Sequence, residues 1–223
     1  MTKQTIINRI TLFGCCLALA VCLTPTLTYG QSNETSQAPA SQDFGFPWWG
    51  PNPEPRTTIR PVVLFSNPSV VVSASGTMLV RTRDNVFATL HTSGLMPGTV
   101  VTFWWAFFNS PGNCATQPCT PADLANPAVF GSVVAGGGRI IGADGTASFS
   151  VYRQAFDTTG VFTGLGTVQG LLEPLRAQIH LVIRTHGPAI TDDPDALRQQ
   201  LSLFNGGCPP NTCANLQASI HQP

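Results

Sequence analysis

The sequence predicts an all-β chain: a single β-sandwich with two short helices set in disulfide-pinned loops. Three observations carry this prediction. From Pro61 onward, eight or nine short runs of β-type residues alternate with turn residues. One run, Val86 to His91, alternates with period two, as a strand with a single buried face does. Another, Val100 to Phe108, is apolar at both odd and even positions, as a central strand covered on both sides would be.

Taken in order, strands are predicted at Val70–Ser73, Thr77–Arg81, Val86–His91, Val100–Phe108, Val129–Val134, Arg139–Ile141, Thr146–Tyr152, Ile179–Thr185 and Leu216–His221. Asp84-Asn85 and Leu95-Met96-Pro97-Gly98 are turns, and Asp144-Gly145 reads as a hairpin turn. Gly136-Gly137-Gly138 has no following lysine or helix, so it is a loop between strands and not a phosphate cradle. One short helix begins at Thr120-Pro121-Ala122-Asp123, with a capping threonine and proline at its first position. The other opens at Asp193-Pro194, carries Leu197, Leu201 and Phe204 at helical spacing, and ends at Gly206-Gly207. Asp192, Asp193 and Asp195 resemble a calcium ligand set, but a helix N-terminus favours acids without a cation.

Residues 1–30 read as a secretory signal peptide. Lys3 and Arg9 precede an apolar run, Leu12 to Leu23, that falls short of the roughly 20 residues of a spanning helix. Pro25 ends the run, and Thr28-Tyr29-Gly30 precedes a cut ahead of Gln31. An uncleaved anchor and a lipid-anchored chain acylated at Cys22, after Leu19-Ala20-Val21, are the other readings. Residues 31–60 read as a linker, polar at first and then rich in proline and aromatics, with Phe46, Trp48 and Trp49 either packed on the domain or free to dock elsewhere. Residues 61–223 form the sandwich domain. Asn33-Glu34-Thr35 is a glycosylation sequon.

Removal of the signal takes away three of the seven cysteines and the only lysine. Nine arginines then face the chain's 11 acids, too few and too scattered for a nucleic-acid surface. Four cysteines remain, as Cys114-x4-Cys119 and Cys208-x4-Cys213, an even number suited to an oxidising, secreted or periplasmic setting. Two local disulfides, crossed pairing between the loops, and a four-cysteine zinc site are all compatible with that spacing. No second stretch is long enough to span a membrane.

Candidate chemistry is sparse. His180 and His186 share one face of the 177–188 run with Val182 and Arg184, while Ile179, Leu181 and Ile183 take the core face. Six residues of strand span about 20 Å, so these two histidines cannot hold one ion together, and a metal site needs His180 or His186 with a histidine from another strand, His91 or His221. His180, His186 and His221 are thus the candidate metal ligands, and Arg184 joins them as a candidate in an enzyme. No Gly-x-Ser-x-Gly elbow is present, Glu173 and Asp157 are a thin carboxylate pair, and no cofactor motif is found. Trp104 and Trp105 point to opposite faces, as core residues or as a stacking platform.

The run Ile179-His180-Leu181-Val182-Ile183-Arg184-Thr185-His186-Gly187-Pro188, followed by Phe204-Asn205-Gly206-Gly207-Cys208-Pro209-Pro210-Asn211-x-Cys213-Ala214-Asn215, resembles a group of uncharacterised bacterial secreted proteins. Leu95-x-Pro97-Gly98 and Gly142-x-Asp144-Gly145-Thr146 fit the same group, and these two turns also look like those of immunoglobulin-like sandwiches. The resemblance spans most of residues 70–221 and implies no activity. The expectation is a non-catalytic binding or envelope-associated module with an unknown ligand or envelope partner. A metal protein or enzyme using the 177–188 histidines, and a structural surface component, are the competing classes.

Overall fold

The computed structural model describes residues 53–209 and 211–223. The signal segment, Cys22, Phe46, Trp48 and Trp49 lie outside the described residues. The fold is an antiparallel β-sandwich. A four-stranded sheet runs β1 (Arg56–Arg60), β4 (Gly76–Arg81), β5 (Asn85–Thr92), β8 (Ala147–Gln154). A seven-stranded sheet runs β3 (Asn67–Val71), β2 (Val63–Leu64), β11 (Ala214–His221), β10 (Gln178–Pro188), β6 (Thr99–Phe108), β7 (Gly131–Ile140), β9 (Val161–Gly166). No described helix is long and apolar enough to cross a membrane.

The doubly apolar pattern of β6 explains the layering. All ten of its residues are buried. Its odd positions, Val101, Phe103, Trp105 and Phe107, join Ile179, Leu181 and Ile183 of β10 against Leu79, Ala88, Leu90 and Phe149 of the smaller sheet. Phe103 packs edge-on to Trp105, ring centroids 5.2 Å apart. Its even positions, Trp104, Ala106 and Phe108, look out of the sandwich and need a second cover, because leaving such side chains in water costs roughly 1.5–3 kcal/mol each. Two long connections supply it. Residues 109–130 between β6 and β7 fold into three 3-10 turns and contribute Cys119, Leu124 and Val129. Residues 189–213 between β10 and β11 contain helix α1 (Pro194–Ser202) and contribute Phe204.

Both disulfides lie in these covering loops and pair locally, Cys114 with Cys119 and Cys208 with Cys213, with Cα atoms 5.3 and 6.0 Å apart. Crossed pairing and a four-cysteine zinc site are therefore not formed. The capping role predicted for Thr120 is present, and with Asp123 it forms a capping box. Asp123 accepts from the backbone N–H groups of Thr120 and Ala115, and these bonds hold its carboxyl below the usual carboxylate range. The helix it caps is one 3-10 segment, Pro121–Ala125. Asp193 caps α1 by accepting from Asp195 N and Ala196 N, and Asp195 pairs with Arg198 at 2.8 Å, so two of the three acids act as a helix start does.

Three sequence expectations are corrected. The glycine triplet is not a loop: β7 runs through it, with a bulge at Gly136 where the register on β6 slips between Phe103 and Trp104. Glycine is needed for close approach. A Cβ on Gly136 would lie 2.2 Å from the Phe103 ring, and one on Gly138 would lie 2.3 Å from the carbonyl oxygen of Leu201 in α1. Asp144-Gly145 does make a turn, with Asp144 accepting from Thr146, but it carries the chain from one sheet to the other and is not a hairpin. Finally, the last five residues read as linker are β1, which pairs with β4 in full register. Gly138→Ala is expected to push α1 off β7 and destabilise the domain by about 1–3 kcal/mol, measurable as a lowered urea midpoint.

Candidate functional site

The outer face of the seven-stranded sheet is incompletely filled beside the 109–130 cover. A cavity of about 240 Å³ lies over Ala218 and Ile220 of β11, walled by Phe65, Pro68, Pro118 and Pro121. A smaller one of about 50 Å³ continues over Trp104, Ala106, Phe108 and Val182, closed by Leu124 and Phe204. Phe65, Pro121 and His180 line both. The cleft thus has apolar walls and one imidazole at its junction. A wider hollow near Asn109, Glu173 and Arg176 is more polar, but Asn109 there is engaged by Phe130, Gly170 and Leu172.

His180 is 4 % exposed and tilts against Phe108, ring centroids 4.7 Å apart. Its protonation follows from its neighbour. Gln178 Oε1 accepts from Cys119 N–H at 3.0 Å, and Gln178 Nε2 donates to Cys119 C=O at 3.2 Å. The amide cannot flip without opposing two acceptors. Its Nε2 therefore also donates to His180 Nε2, 2.6 Å away, which leaves the imidazole proton on Nδ1. Nδ1–H has no hydrogen-bond partner among the described residues. Burial pushes the His180 pKa down to about 4, so the ring is neutral at pH 7.

The other sequence candidates do not converge on it. His186 donates from Nδ1 to Gly206 C=O at 2.9 Å and takes the Thr102 hydroxyl on Nε2 at 2.8 Å; burial lowers its pKa. His221 pairs opposite Ile179 and so faces the inter-sheet core, on the opposite side of the sheet from His180 and His186. It bridges to the smaller sheet through Thr58 (2.7 Å) and Thr77 (2.9 Å). Burial, with Arg81 and Arg60, pushes its pKa down to about 3. His91 is exposed beside Ser148. The structure therefore does not bring His180, His186 and His221 together as a ligand set.

Arg184 is a positioning residue for the covering loop. It donates to Phe204 C=O, Asn205 Oδ1 and Asn215 Oδ1, and its guanidinium lies 4.1 Å from the centre of the Phe204 ring. Phe204 and Asn215 both line the smaller cavity. Trp105 is a core residue, whereas Trp104 floors that cavity, donates to Thr102 and meets Phe204 edge-on. Asp157 pairs with Arg153 and Glu173 with Arg176. Sequence reasoning missed Gln178, Phe65, Pro121 and Ala218. Their only advance signal is the position of Gln178 two residues before His180, which places both on one strand face.

Fold and site together define an antiparallel sandwich carrying a mostly apolar cleft with a neutral imidazole at the junction of its two parts. Comparison with protein-family models, curated proteins and solved structures finds no match.

Proposed function

We propose that this chain is an exported, non-catalytic binding module that holds a small, mostly apolar molecule bearing one hydrogen-bond acceptor. The observation that carries the reading is the meeting of two apolar cavities at the side chain of a neutral His180, whose Nε2 is engaged by Gln178 and whose Nδ1–H has no partner among the described residues. A dry apolar cavity of about 150 Å³ holds benzene. The larger cavity, about 240 Å³, accommodates a single ring with a short chain. An acceptor on that molecule would satisfy Nδ1–H, and a carbonyl suits an uncharged imidazole. The lining contains no carboxylate, lysine or free thiol to act with the imidazole, which supports binding over catalysis. Export is supported by the signal-like segment 1–30 and the two disulfides.

Acetophenone and its acceptor-free analogue ethylbenzene test this reading by quenching or enhancement of Trp104 fluorescence. Both should bind wild type, with acetophenone the tighter. Ala218→Leu, which fills the larger cavity, should weaken both by about tenfold or more, since lost apolar contact of this size is worth 1.5 kcal/mol or more. His180→Phe should remove only the preference for acetophenone, a factor of about 2–12 for one hydrogen bond. Equal binding by wild type and Ala218→Leu would refute the site.

A further inference from the structure

We infer that the Cys208–Cys213 loop is a latent metal site: on reduction, Cys208 Sγ, Cys213 Sγ and His186 Nδ1 bind one thiophilic divalent cation such as Zn(II). The three ligand atoms already lie within 4.8 Å of one another. Cys213 Sγ is 3.4 Å from His186 Nδ1, close to the roughly 3.5 Å separating sulfur and nitrogen ligands on tetrahedral zinc. Gly206 C=O lies at the same spot, 3.9 and 3.8 Å from the two sulfurs and 2.9 Å from His186 Nδ1.

The loop does not rely on its disulfide to stay over His186. Arg184 holds Phe204 and Asn205. Asn211 donates to Pro188 C=O, and Gln200 donates to both His186 C=O and Pro188 C=O. Gly206 is pressed so closely on α1 that a Cβ there would fall 1.8 Å from Gln199 C=O. The sulfurs are therefore retained beside the imidazole when their bond opens. A hydrogen-bond partner for the other imidazole nitrogen is also in place. Thr102 Oγ1 faces His186 Nε2 at 2.8 Å, and it can accept from Nε2–H when the proton leaves Nδ1 for the metal.

The chemistry balances with a dithiol reductant. Its two thiols supply two electrons and two protons, the Cys208–Cys213 bond breaks to two thiols, and the reductant leaves as its own disulfide. Zn(II) then displaces two thiol protons to solvent and forms two Zn–S bonds and one Zn–N bond, with water in the fourth place. The imidazole proton moves from Nδ1 to Nε2.

The test uses the full chain with all four mature cysteines, reduced anaerobically and titrated with Zn(II) against a chromophoric chelator. We expect one equivalent to bind after reduction and none before. Zn(II) should protect Cys208 and Cys213, but not Cys114 and Cys119, from alkylation as read by peptide mass spectrometry. The long-range 1H–15N spectrum should move the His186 proton from Nδ1 to Nε2. His186→Phe should lower affinity by at least about tenfold. Absence of stoichiometric binding, equal protection of all four cysteines, or an unchanged His186 tautomer would overturn the inference.

Discussion

Lowering the pH from 7 to 4 is expected to destabilise the domain by several kcal/mol, on the order of 3 kcal/mol from each of His180 and His221. Both folded-state pKa values lie below the ordinary 6.5, at about 4 and about 3, chiefly because burial opposes the charged ring. Above pH 6.5 neither state binds a proton there, and stability is at its plateau. As pH falls below 6.5, the unfolded chain takes up protons that the folded chain refuses, so stability is lost continuously down to the folded pKa values. His186, also lowered by burial, acts in the same direction. Urea midpoints measured at half-unit pH steps would show this slope. His180→Phe should flatten it while leaving most of the contribution of His221, since His180 is the smallest of the causes that lower the His221 pKa. A midpoint that stays level between pH 7 and 5 would contradict the neutral, buried state assigned to both rings.

Arg81→Met should cost about 3–5 kcal/mol, the largest effect expected of any single substitution outside the apolar core. Arg81 is 1 % exposed and has no acidic partner among the described residues. Its guanidinium instead donates to four backbone carbonyls: Pro174 and Ala177, both at 2.7 Å, before β10, and His221 (3.0 Å) and Gln222 (3.3 Å) at the end of β11. One side chain of the smaller sheet thus ties down two segments of the larger one. Burial, with Arg56 nearby, pushes its pKa down to about 10, which still leaves it charged at neutral pH. Its Nε has no partner among the described residues. Methionine would fill part of the volume but leave these carbonyls without donors. Arg81→Lys keeps the charge but loses the planar fork, and should fall between wild type and Arg81→Met. A second readout separates this from simple loss of packing. Arg81 is one cause of the depressed His221 pKa, so Arg81→Met should raise that pKa and shallow the acid slope.

The parts of this architecture legible in the sequence are those where one residue pattern has a single physical solution. The ten-residue run of β6 is apolar on both faces, so it had to lie between two covers, and it does. The alternation in β10 correctly put Ile179, Leu181 and Ile183 on one face and His180 on the other. Close cysteine spacing favoured local pairing, which is what forms. Strands β1, β2 and β9 were not legible. They are short or at sheet edges, their side chains are exposed or only half-buried, and their sequences carry no apolar period. The glycine triplet misled because its function is close approach to Phe103 and Leu201, a contact no local signal reveals.

The site was half legible for a related reason. Strand periodicity gives the face of a side chain but not its neighbours across the sheet. His180 was singled out, but grouping it with His221 required a topology the sequence does not contain. Antiparallel pairing puts His221 opposite Ile179, one residue out of phase with His180, and so on the other side of the sheet. Gln178 drew no notice because its role depends on Cys119, which reaches it only when the 109–130 loop folds over the sheet.

In the proposed complex, His180 presents its Nδ1–H to a ligand in the cleft. The long-range 1H–15N spectrum of its imidazole tests this most directly, in the oxidised protein at pH 7, with and without acetophenone. The account predicts a neutral ring protonated at Nδ1, with that nitrogen's resonance shifting on addition of acetophenone and not of ethylbenzene. A ring protonated at Nε2, or an Nδ1 resonance indifferent to acetophenone at saturating Trp104 response, would contradict it.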